Sequence, residues 1–95
     1  MRKYKLTSEA EEDLWRIYRW GYHAFGEKKA DAYHYKFLDQ FSKISEQPYL
    51  FQITDDLDKT YRRCVCGSDV IYYLINDDRV EIIRILGQQD LNQHL

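Results

Sequence analysis

Residues 60–87, TYRRCVCGSDVIYYLINDDRVEIIRILG, decide how this chain folds. Three runs within it, TYRRCV, DVIYYLI and RVEIIRIL, are rich in Val, Ile and Tyr, which suit a pleated, half-buried surface. Turn signals separate them, Gly67-Ser68 after the first and Asn76-Asp77-Asp78 after the second. The pattern predicts a three-stranded antiparallel meander. DVIYYLI is apolar on both faces, as befits a central strand covered on both sides or offering apolar surface to a partner.

The first turn also assigns faces. A two-residue Gly67-Ser68 loop sets Cys66 opposite Asp69 and Cys64 opposite Ile71. Cys64, Cys66, Ile71, Tyr73 and Ile75 then share the core face, with Ile83 and Ile85 joining them. The other face carries Arg63, Val65, Val70, Tyr72, Leu74, Ile82, Arg84 and Leu86. A slip of one residue in the second hairpin would turn Arg84 inward. An unpaired buried guanidinium costs several kcal/mol, so the first register is preferred.

Upstream of the meander the period changes. KYKLT alternates as a short strand suited to a sheet edge. Ser8 with Glu11 forms a capping-box pattern, Thr7 is the alternative cap, and Glu9, Glu11, Glu12 and Asp13 favour the positive end of a helix dipole. Ala10, Leu14, Ile17, Tyr18 and Gly21 make one helical stripe, which Gly26 ends near Ala24. A second helix is predicted over 27–46, with Ala30, Tyr33, Phe37, Phe41 and Ile44 on its stripe and Pro48 as its stop. The short connection makes the pair an antiparallel hairpin. YLFQITDDLDKT reads as an irregular, acidic surface loop. The order β-α-α-β-β-β describes one α+β domain over residues 1–95, a helical hairpin laid on one face of the meander.

Bulk properties narrow the function classes. With 95 residues, 44% of them apolar, one packed core is expected. A net charge of −2 and a pI of 5.9 give no global footprint for direct nucleic-acid binding. No run approaches a membrane span and no signal-peptide pattern precedes the first periodic segment, so the cytoplasm is the expected location.

Candidate chemistry is thin. Cys64 and Cys66 stand at i, i+2 on a strand, a spacing too wide and too parallel for a good disulfide. His23, His34 and His94 lack ligand spacing, so neither a metal nor another cofactor is expected. Asp55, Asp56 and Asp58 lack the glycine and terminal glutamate of a calcium loop. Trp15 and Trp20 lie off the main stripe, as a contact patch or a second packing seam. For catalysis, the open sheet face offers two cations and one phenol, Arg63, Arg84 and Tyr72, with no His or carboxylate clearly placed beside them.

Several of these segments form a familiar set. SEAEEDL in the first helix, YR at the strand start, GSDVIYY in the central strand, and RIL followed by a D-x-x-x-H-L tail resemble the ParE branch of the RelE/ParE toxin superfamily. The resemblance covers essentially the whole chain, in order and spacing. It implies a small cytoplasmic toxin of a type II toxin–antitoxin operon, acting on DNA gyrase and wrapped by a cognate antitoxin. RelE-type relatives instead cleave mRNA on the ribosome, with Arg, Arg and Tyr at positions that fall here on Val70, Gln89 and Leu95. All three lack the reactive group, so a toxin that is not an enzyme is expected. Cys64 and Cys66 replace a Phe and an aliphatic residue, and Gly87 stands where the family often has His.

Arg63, Val70, Tyr72, Leu74, Ile82 and Arg84 on the open face would receive the antitoxin. Gln89, Asp90, Leu91, His94 and Leu95 in the tail would dock on the target. One alternative is an mRNA interferase using Arg63, Arg84 and Tyr72. Another is a binding module without toxicity, serving only antitoxin-linked regulation.

Overall fold

The computed structural model describes residues 3–54 and 61–87. The elements are β1 (Lys3–Leu6), α1 (Ser8–Phe25), α2 (Glu27–Glu46), β2 (Ile53–Thr54), β3 (Tyr61–Cys66), β4 (Asp69–Asn76) and β5 (Arg79–Gly87). They form a five-stranded sheet in the order β1-β5-β4-β3-β2 with the helical hairpin on one face. The α+β class and the element order match the expectation. Two features add to it. β1 runs parallel to β5, Tyr4 opposite Val80, and β2 extends the far edge, Ile53 opposite Arg62. β2 falls wholly inside the segment 49–60 that reads as an irregular loop, because two residues carry no periodicity. Its order comes from its neighbour, including the hydrogen bond from Arg63 N–H to the Gln52 carbonyl at 2.9 Å.

Thr7, rather than Ser8, caps α1, its hydroxyl accepting from Ala10 N–H at 3.1 Å. The helix ends at Phe25, and Gly26 with φ of 95° turns the chain into α2. Ala10, Ile17, Phe37, Phe41 and Ile44 from the hairpin are buried against Cys64, Cys66, Ile71, Tyr73, Val80, Ile82 and Ile85 from the sheet.

Ile82 faces the core, not the open face, because β4 and β5 change register between Tyr72 and Tyr73. Tyr72 lies opposite Arg84 and Tyr73 opposite Ile82, so Ile83 is the extra residue of a β-bulge. The bulge lets Ile82 and Ile85 share one face although three positions separate them. It also keeps Arg84 off the core without the single-register choice that the sequence offered.

The thiols are buried as expected of small core residues. Burial pushes Cys66 up to about 11 and raises Cys64 as well, although the Gln40 amide donates to Cys64 Sγ at 2.9 Å. Native protein is therefore expected to react slowly with a thiol-specific reagent and denatured protein quickly. Fast labelling of two thiols in the folded chain would show that this face of the sheet is open.

Candidate functional site

The site lies where α1 passes the free edge of β5. β1 covers β5 only as far as Ile82, opposite Leu6. Beyond that point an edge strand would present unpaired backbone groups, and side chains of α1 meet them instead. The Thr7 hydroxyl donates to the Ile83 carbonyl at 2.8 Å. Asp13 Oδ2 accepts the Ile85 N–H at 2.9 Å and Arg84 Nε at 2.7 Å. Asp13 Oδ1 accepts Arg84 Nη2 at 3.1 Å and Arg16 Nη2 at 3.4 Å. Asp13 is 4% exposed. Burial alone would raise its pKa, but the hydrogen bonds from Arg84 and Ile85 and the charge of Arg84 outweigh that and hold it below the ordinary carboxylate value.

Next to this edge, the C-terminal half of α1 and the N-terminal half of α2 enclose a groove of about 590 Å³. Ile17, Gly21, Ala30 and Phe37 line its inner part, and Ser68, Asp69 and Gly87 close its sheet end. Trp20 and Phe25, 65% and 60% exposed, meet edge to face at 5.6 Å on the rim. Lys29 Nζ lies 5.8 Å from the Phe25 ring, and Arg16 lines the same groove. The groove is thus apolar inside and cationic at its rim.

Tyr33 fixes the sheet end. Its hydroxyl lies 2.7 Å from Asp69 Oδ2 and 3.0 Å from the Cys66 carbonyl, and accepts the Ser68 N–H at 3.2 Å. Burial and the Asp69 contact push this phenol up to about 12. It is a structural hydroxyl, not an acid or base near neutral pH.

Pairing in the sheet brings the three candidate catalytic residues into one rung. Arg63 on β3 faces Tyr72 on β4, which faces Arg84 on β5. Their states differ. Tyr72 is fully buried, with Val70 and Leu86, in a second apolar cluster. Arg84 is committed to Asp13. Arg63, half-buried, has no side-chain hydrogen bond or ion pair among the described residues. Of the six residues expected on an open apolar face, Val70 and Tyr72 are covered and Ile82 lies in the core, leaving Arg63, Leu74 and Arg84 partly accessible. The expected tail contacts, Gln89, Asp90, Leu91, His94 and Leu95, lie outside the described residues.

Two parts of the site went unseen in the sequence. Asp13 reads as one more acid in the first turns of the helix, yet it stands at i+3 from Ala10 and i−4 from Ile17, on the buried side. The groove draws Trp20, Phe25 and Lys29 from both ends of the interhelical turn, which only the hairpin brings together. Among the described residues no group of three His, Cys, Asp or Glu is placed to hold a metal ion. None of the described helices is long and apolar enough to cross a membrane.

Residues 4–91 match the family model described as ParE toxin of type II toxin-antitoxin system, parDE. Toxin ParE1 of Caulobacter vibrioides is 35% identical over 88 residues, covering 93% of this chain and 91% of that protein. Among solved structures, the chromosomal ParDE TA system from P. aeruginosa superposes with a TM-score of 0.77 at 18% identity, over 92% of this chain and 96% of that one. A conserved Helicobacter pylori protein gives a TM-score of 0.56 at 16% identity, over 94% and 97% of the two chains. At these identities the structural matches speak for the fold.

Proposed function

The chain belongs to the ParE toxin family of type II toxin–antitoxin systems, and on that premise we propose that it poisons DNA gyrase by binding and is neutralised by a cognate antitoxin. It acts in the cytoplasm and catalyses no reaction. The observation that carries the non-catalytic reading is the state of the Arg63–Tyr72–Arg84 rung. A phosphoryl-transfer site needs a proton acceptor within reach of substrate and free cations for the developing charge. Here the phenol is buried and one of the two guanidinia already neutralises Asp13. Val70, at a position where RelE-type nucleases carry Arg, is itself buried.

The groove supports the antitoxin half of the proposal. A disordered acidic segment with apolar anchors would seat the anchors between the helices and its carboxylates on Arg16 and Lys29. This moves the antitoxin surface from Val70, Tyr72 and Ile82 to the hairpin, with Arg63 and Leu74 left as flanking contacts. Gyrase recognition is assigned to Gln89, Asp90, Leu91, His94 and Leu95, which supply polar orientation and two leucines one helical turn apart.

Purified gyrase in a supercoiling and cleavage assay tests the function. The full chain is expected to block supercoiling and accumulate cleaved DNA. Deleting residues 91–95 is expected to abolish that effect while antitoxin binding persists, and His94→Ala is expected to change little. Site-specific transcript cuts appearing before any DNA damage would overturn the proposal in favour of an mRNA interferase.

A further inference from the structure

The outward face of α1 belongs to neither the groove nor the β5 edge. At 100° per residue, Ser8, Glu12, Trp15, Arg19, Tyr22 and His23 form one stripe opposite the buried Ala10, Asp13 and Ile17. Every member of the stripe is exposed, and Trp15 is 58% exposed. Its ring is nevertheless held in place. It stacks on Tyr18 at 5.8 Å and 9°, and the Arg19 guanidinium lies 6.0 Å from its centroid. A fixed, exposed indole loses little side-chain freedom on binding, which is why such residues anchor interfaces.

Charge along the stripe is segregated. Within the stripe Glu12 lies in the first half of α1 and Arg19 in the second. Neither Glu12 nor Arg19 has an ion-pair partner among the described residues. The order is self-complementary. When a second copy of α1 is laid antiparallel across a two-fold axis between positions 15 and 16, Glu12 meets Arg19 and Ser8 meets His23. Each pair occurs twice, and the two Trp15 rings meet near the axis. The antiparallel arrangement also sets each acidic helix start against the other copy's cationic end.

We propose that this face is the interface of a homodimer, formed by antiparallel packing of α1 on α1 with Trp15 at its centre and reciprocal Glu12–Arg19 pairs on either side. A uniformly acidic partner would match the cationic half and be repelled by the other. A second copy matches both. The inference stands apart from the gyrase and antitoxin proposals and uses different surfaces.

Sedimentation velocity of the full chain across the micromolar range tests it. The unmodified chain is expected to sediment as a dimer. Trp15→Glu is expected to weaken association on the order of a hundredfold, since an anchoring indole is lost twice by symmetry. Glu12→Arg, which opposes like charges twice, is expected to weaken it on the order of tenfold. The double swap Glu12→Arg with Arg19→Glu is expected to restore association to near the original strength. All three change exposed positions, and circular dichroism confirms the fold of each. A chain that is monomeric throughout, whatever else its Trp15 face binds, overturns the proposal. So does a dimer indifferent to Trp15→Glu, or a double swap no tighter than the single one.

Discussion

Asp13→Ala is expected to destabilise the folded chain by about 3 kcal/mol and to lower its melting temperature by roughly 10–20 °C. The carboxylate is buried and serves two kinds of donor. It accepts the backbone N–H of Ile85 at 2.9 Å, which no neighbouring strand can satisfy because β1 has already ended. Leaving that donor buried and unpaired accounts for about 1–3 kcal/mol. It also holds Arg84 through two hydrogen bonds. Arg84 keeps about a third of its side chain in solvent, so its share is discounted to about 1 kcal/mol. Asp13→Asn retains an acceptor for Ile85 and is expected to cost about half as much. Asp39→Ala, exposed on α2, is the control and should stay within about 0.5 kcal/mol.

The same residue fixes a pH dependence. Asp13 has a depressed pKa in the folded chain, so it contributes stability that is fully present above the ordinary carboxylate value of 3.8 and lost as pH falls through the folded value below it. Thermal melts on either side of 3.8 should show the unmodified chain losing more stability on acidification than Asp13→Asn. Equal losses in both proteins would mean that the carboxylate charge contributes nothing to the edge.

How far these features were legible depends on the range of the interaction behind them. Both turns of the meander are local: Gly67-Ser68 is where the sequence placed it, and the second turn, Asp77-Asp78, falls within the Asn76-Asp77-Asp78 signal. The bounds of α2, Glu27–Glu46, are equally local, set by Gly26 and Pro48. β2, the parallel pairing of β1, and the bulge at Ile83 are not local. Each is decided by what the neighbouring strand or helix supplies. Asp13 is the sharpest instance. A carboxylate near the start of a helix favours its dipole on any reading, and only the departure of β1 from β5 gives it a second task.

Gly67→Ala is expected to be as damaging, at about 3 kcal/mol, for two separable reasons. Gly67 adopts φ of +62°, a conformation that costs an L residue about 1–2 kcal/mol. In addition, a Cβ there would come within 2.5 Å of Tyr33 Cε1 and 2.6 Å of its hydroxyl oxygen. The ring cannot retreat easily, because its other contacts are an edge-to-face packing on Phe37 at 5.0 Å and the contacts to Asp69, Cys66 and Ser68. Displacing it disrupts that network, for about 1–3 kcal/mol more. Two variants separate the causes. Gly67→Asn tolerates the left-handed backbone but keeps the collision, so it should recover only about 1 kcal/mol. In a Tyr33→Leu background the collision is gone, and Gly67→Ala should then cost only the backbone part, about 1–2 kcal/mol. Chemical denaturation of the four proteins closes the cycle. A coupling energy near zero would mean that Tyr33 does not pin the β3–β4 turn to α2. The sheet end of the groove would then owe its shape to the strands alone.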